Sequence, residues 1–173
     1  MTKLQIKLLS DNATEPKRNN LDAGYDIYAA ETVILEPQQK ALIATDLAVN
    51  IPKGYVGLLT SRSGVSSKTH LVVETGKIDA GFQGHMRVNI KNDCRDYNPF
   101  KMHTNCVTRD ISGSIIQPPY IKHDETLDKY LIKKGDRLAQ LVVVPIWTPE
   151  LEPVEEFESE TARGEKGFGS TGY

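Results

Sequence analysis

No stretch of this chain sustains a 3.6-residue apolar period for three turns, and that absence constrains the fold more than any single motif does. What replaces it is a series of short runs rich in β-branched or alternating apolar residues: Lys3 to Leu9, Thr32 to Leu35, Lys40 to Ile51, Tyr55 to Thr60, His70 to Val73, Met86 to Ile90 and Leu138 to Ile146. Gly, Pro, Asn and Asp punctuate them. Strands at this spacing predict an all-β sandwich, barrel or jelly roll, with one short helical turn after Ser61 as the best helix candidate. At 173 residues the chain fits a single domain with a real core, and we see no internal repeat.

Composition changes near the end. From Pro149 to Lys166 seven glutamates crowd a segment with few apolar residues, which reads as an extended arm rather than core. The expected organisation is therefore a β domain over 1–148, containing an insert at 93–130, and an arm over 149–173. The arm ends in Arg163-Gly-Glu-Lys-Gly-Phe-Gly-Ser-Thr-Gly172. Glycines allow successive backbone N–H groups to turn toward an anion, Ser170 and Thr171 add hydroxyl donors, and Arg163 supplies a planar fork for phosphate oxygens. Phe168 can lie flat on a nucleobase. The competing reading is a disordered terminus. A P-loop is excluded, because Gly169 stands where its lysine belongs.

Bulk charge narrows the options further. With 21 basic and 23 acidic residues the net charge is −2, so no global field draws the protein onto DNA or an anionic membrane, and phosphate binding has to come from local clusters. No apolar run is long enough to span a bilayer and none has signal-peptide form. We therefore expect a cytoplasmic protein with Cys94 and Cys106 as reduced thiols. His103-x-x-Cys106 with Cys94 nearby fits no established four-ligand zinc spacing.

Four further segments stand in order before the tail: Ala23-Gly24-Tyr25-Asp26-Ile27, Ser61-Arg62-Ser63-Gly64, Gly76-Lys77-Ile78-Asp79-Ala80-Gly81-Phe82-Gln83-Gly84, and Gly135-Asp136-Arg137-Leu138-Ala139-Gln140-Leu141. Each alone is weak. Together with the tail they resemble the five motifs of the homotrimeric dUTPase family, and the long segment between the third and fourth resembles that of bacteriophage members. The resemblance implies a jelly-roll-like β-clip barrel, hydrolysis of dUTP to dUMP and pyrophosphate with Mg²⁺, and a homotrimer whose sites draw on all three subunits.

The residues support that chemistry to different degrees. A carboxylate at Asp79, at a strand end beside a Gly-rich turn, can act as general base toward water, although a turn Asp that satisfies backbone donors has the same local sequence. The resemblance makes Asp79 the base whose water attacks the α-phosphorus. Arg62, Ser63 and Gly64 put a guanidinium, a hydroxyl and an unhindered N–H within three residues, either a phosphate clamp or a surface turn with a capping serine. By resemblance Ser63 meets the oxygens around the α,β-bridge, with Gln140 in the same region. Gly76 and Ile78 join the nucleotide-binding set, and Phe82 lies beneath the deoxyribose, where its ring excludes a 2′-hydroxyl. Most relatives carry Tyr there, so any hydrogen bond from that hydroxyl is absent; a core role is the competing reading of Phe82. Phe168, Gly169, Ser170, Thr171 and Arg163 close over the substrate, Asp26 and Arg137 form a buried supporting pair, and Mg²⁺ is held by the triphosphate and water with no direct protein ligand.

Two alternatives come from other classes. A dCTP deaminase of the same fold needs a catalytic glutamate where this chain has Asn89, and an amide cannot shuttle that proton. The segment from Asp93 to Tyr130 is roughly thirty residues longer than a hairpin connection needs and holds enough Tyr, Phe, Met and Ile for a small folded appendage. Phage relatives with such an insert bind repressor proteins, so the resemblance implies a regulatory partner; passive surface decoration fits the residues as well.

Overall fold

The computed structural model describes residues 3–95, 105–117, 126–159, 161 and 164. Twelve strands are present among them: β1 (Gln5–Leu8), β2 (Tyr25–Tyr28), β3 (Val33–Leu35), β4 (Lys40–Asn50), β5 (Tyr55–Ser61), β6 (Leu71–Val73), β7 (Gly76–Ile78), β8 (Met86–Asn92), β9 (Asn105–Arg109), β10 (Ile115–Gln117), β11 (Thr126–Ile132) and β12 (Arg137–Pro145). One four-residue helix, α1 (Ser63–Ser66), follows β5 where the short helical turn is expected, and the buried Val65 anchors it. The strands form three four-stranded sheets ordered β1-β4-β8-β6, β10-β9-β11-β3 and β2-β12-β5-β7. This is the all-β class the sequence predicts. No described helix is long and apolar enough to cross a membrane.

Period-two alternation explains the core. In β8 the residues Met86, Val88 and Ile90 are buried while their neighbours face outward, and β4 contributes Ile43, Leu47 and Val49 to the same interior. Strand β4 slips register against β8 between Ala44 and Leu47. At that bulge Asp46 adopts φ 52°, and the buried Thr45 hydroxyl donates to Met86 O at 2.6 Å, which satisfies a carbonyl the slip would orphan.

The flanks of the insert are built into the body. Strand β11 lies between β9, to which it is parallel, and β3 of the body, to which it is antiparallel with Tyr130 opposite Leu35. Tyr130 and Ile132 are in the core, and Cys94 is buried. The physical reason is the apolar rhythm of Tyr130 and Ile132, which needs an inner face; both ends of 93–130 are thus structural parts of the body. Beyond β12, residues 146–159 carry no strand, as the acidic composition leads one to expect. Yet Trp147, Leu151 and Phe157 are each more than 85% exposed along it.

Candidate active site

The sheet β2-β12-β5-β7 carries all four segments singled out before the tail. Gln140 of β12 stands opposite Asp26 of β2 on one side and Thr60 of β5 on the other. Immediately past Thr60 come Ser61 and Arg62. Gly24 makes the approach of β2 to β12 possible, since a Cβ there would lie 3.0 Å from Val142 Cγ2 and 3.2 Å from Gln140 Cβ.

Charge pairing at this end differs from the expected one. Asp26 Oδ1 accepts from Arg62 Nε at 2.8 Å, both side chains being about four-fifths buried, whereas Arg137 Nη1 reaches Asp26 Oδ2 only at 3.5 Å and its side chain is 57% exposed. Asp26 therefore pairs with both arginines, with Arg62 at the shorter, more buried contact and with the expected partner Arg137 at the exposed edge. Arg62 Nη1 also donates to Arg137 O at 3.4 Å. Two of the guanidinium's donors are thus committed to orientation, and the remainder are left for an anion. Ser63 and Gly64 are exposed beside it, and a Cβ on Gly64 would meet nothing within 4 Å. Just before β12, the Asp136 carboxylate accepts from Lys133 N at 2.8 Å, and burial raises its pKa above the ordinary Asp value despite that bond.

Asp79 and Phe82 sit at the other end of the sheet. Gly76 pairs with Leu59 and Ile78 with Gly57, after which the chain turns at Asp79, whose carbonyl accepts from Phe82 N at 3.0 Å. The Asp79 side chain is exposed, and its carboxylate has no hydrogen-bond partner among the described residues, so it is not a turn Asp that satisfies backbone donors. Phe82 is 44% exposed rather than a core residue, and its ring covers Gly84 so closely that a Cβ there would lie 2.9 Å from Cε2. Arg62 lies five residues beyond the Gly57 that pairs with Ile78, which at about 3.4 Å per residue separates it from Asp79's end by about 17 Å. One chain does not bring the two ends together.

Arg163, Phe168, Gly169, Ser170 and Thr171 lie outside the described residues, as does His103. Asn89 is on β8, where its Nδ2 donates to Glu74 Oε2 at 2.6 Å. Among the described residues, the one group of three potential metal ligands, His70, Cys94 and Asp128, does not include Asp79. The role of Arg62 in holding Asp26 was not visible in sequence, because two arginines compete for one carboxylate and no spacing rule chooses between them.

A family model described as dUTPase matches residues 12–106 and 102–172. The deoxyuridine 5′-triphosphate nucleotidohydrolase of Oryza sativa subsp. japonica is 35% identical over 170 residues, spanning 98% of this chain and 80% of the relative. Among solved structures, the Staphylococcus bacteriophage 80alpha dUTPase with dUPNHPP is 60% identical over the whole of both chains with a TM-score of 0.86. It is described among phage dUTPases that control transfer of virulence genes by a proto-oncogenic G protein-like mechanism. A single-residue variant of the dUTPase from phage phi11 of S. aureus, described as coordinating a structural Mg(II) ion, is 58% identical with a TM-score of 0.81, covering 91% of this chain and all of that one.

Proposed function

The chain belongs to the dUTPase family, and from that membership we infer that it is a dUTP diphosphatase, hydrolysing dUTP to dUMP and pyrophosphate. Asp79 takes a proton from a water whose oxygen attacks the α-phosphorus, and pyrophosphate leaves as the bond to the bridging oxygen breaks. Mg²⁺, when bound with the triphosphate, neutralises phosphate charge. Ser63, Gly64 and the free face of Arg62 receive the oxygens around the α,β-bridge, with Gln140 beside them. Gly76 and Ile78 border the nucleoside, and Phe82 supports the sugar. Arg163, Phe168, Gly169, Ser170 and Thr171 of the tail close over base and γ-phosphate.

The observation that carries this reading is the exposed carboxylate of Asp79, without a partner among the described residues, beside the half-exposed ring of Phe82. The separation of about 17 Å between Asp79 and Arg62 supports a further step. A base that serves the α-phosphorus and a hydroxyl that touches the α,β-bridge act on adjacent atoms of one ligand. The two ends that meet there belong to different copies, within a homotrimer. The enzyme is proposed to act in the cytoplasm, that of the host if the chain is phage-encoded. A pyrophosphate-release assay across dUTP, dCTP, dTTP and UTP tests the activity: dUTP should be strongly preferred, and ammonia release from dCTP would point instead to a deaminase.

A second role has its own support. The β9–β10 hairpin exposes Ile115 and Ile116, and the phage relatives are described as regulators, so the insert is proposed to receive a regulatory protein such as a repressor. Replacing both isoleucines by serine should abolish capture of that protein in a pull-down while hydrolysis persists.

A further inference from the structure

Away from the sites above, three residues remote in sequence converge where the insert rejoins the body. A ligand atom from each of His70, Cys94 and Asp128 lies within 4.8 Å of the others. We propose that these three side chains form a binding site for a thiophilic divalent cation of the zinc type, clamping β11 to the ends of β6 and β8.

Each ligand is held in place without the metal. Asn92, fully buried, donates through Nδ2 to Asp128 O at 2.7 Å and to Leu35 O at 3.2 Å, while its Oδ1 accepts from Cys94 N at 3.0 Å. One amide thus fixes the backbone of two of the three ligands. The third is fixed by Tyr130, whose hydroxyl accepts from His70 N at 3.0 Å, and by Asp93 N, which donates to His70 O at 2.8 Å. Asp128 N in turn donates to Cys94 Sγ at 3.3 Å, the kind of bond that stabilises a thiolate ligand.

The unfinished polar contacts point to a cation. His70 Nε2 and Asp128 Oδ2 are 3.8 Å apart, too far for a hydrogen bond. Tetrahedral bonds of about 2.0–2.3 Å set neighbouring ligand atoms about 3.3–3.6 Å apart. Asp128 Oδ1 lies 2.8 Å from Arg109 Nε, yet both atoms are buried without a properly aimed hydrogen bond. Arg109 so acts as an outer charge on one oxygen and leaves the other turned to His70. The small closure required falls to His70, whose side chain is 58% exposed. A cleft of about 250 Å³, lined by Ser61, Thr69, His70, Val72 and Asp93, opens on the His70 side of the group. Binding releases the thiol proton of Cys94 to solvent. A thiolate with an imidazole selects zinc or cobalt over Mg²⁺, which prefers oxygen.

Titration of the full-length, reduced protein with Co²⁺ in Mg²⁺ buffer should produce a thiolate-to-cobalt absorption band saturating at one ion per chain, displaced by Zn²⁺, with Zn²⁺ raising the melting temperature. Cys94→Ser should abolish the band, and His70→Ala should weaken Co²⁺ binding more than about tenfold. Cys106→Ser should keep the band, and His70→Ala should leave dUTP hydrolysis unchanged. An absent band, or one lost only with Cys106, would overturn the proposal. If Cys94→Ser fails to fold, unchanged Co²⁺ affinity in His70→Ala overturns it equally.

Discussion

The two ends of the sheet β2-β12-β5-β7 are built by opposite means. At the Arg62 end, the Asp26 carboxylate and the Arg137 backbone carbonyl hold the largely buried guanidinium. At the Asp79 end, one turn bond positions a carboxylate with no partner among the described residues and a ring that covers a glycine. The contrast teaches which parts of a site a single chain can preorganise. Arg62 is fixed internally, whereas Asp79 and Phe82 are left facing outward, where the proposed homotrimer would supply the opposing surface.

The strongest way to break this comparison is at the exposed end. Asp79→Asn should lower kcat by about 10²–10⁴ while nucleotide affinity stays within several-fold and the melting temperature is unchanged. Coexpressing that chain with a Gln140→Ala chain, each inactive alone, should restore part of the activity; failure of every mixture would sink the shared site. At the internally fixed end, Asp26→Ala should destabilise the fold by about 1–3 kcal/mol in urea unfolding, because it leaves Arg62 without its largely buried partner. Wild-type stability would show that the cluster is not what fixes Arg62.

Two smaller effects sharpen the contrast. Phe82→Ala should reduce the preference for dUTP over UTP by about tenfold in kcat/KM with little change in stability, since the ring is nearly half exposed. Asp136 tests the rigid end by pH. Its folded pKa is raised, so its contribution to stability is fully present below the ordinary Asp pKa and is lost as pH rises through the folded value. Asp136→Asn, which keeps an acceptor for Lys133 N, should therefore be more stable than wild type at neutral pH, and that difference should vanish in acid.

Much of the architecture was legible because alternation is a local signal. β4, β5, β8 and β12 lie within a residue or two of their expected positions, since each shows its buried face in its own sequence. β2 was recognised as a motif but not as a strand, and of β7 only its end at Asp79 was read as strand: they are three or four residues long, and glycine and aspartate interrupt them. The insert's attachment was hidden for a different reason. Tyr130 and Ile132 look like any apolar pair until β3 is known to lie beside them. The same holds for Asp26, whose choice of Arg62 over Arg137 depends on where β5 ends relative to β12.

The pairing of β11 with β3 also bears on how the chain reaches this state. Tyr130 and Leu35 are 95 positions apart (130 against 35), and β11 must in addition lie parallel to β9, so this closure is among the most costly in loop entropy. During synthesis the first ninety-odd residues emerge well before their last partner. Until β11 docks, Asn92 lacks its acceptor on Asp128, and the thiol of Cys94 has no lid. The nascent chain is therefore open to oxidation and to misplaced strand pairing at the seam that β11 covers in the finished protein.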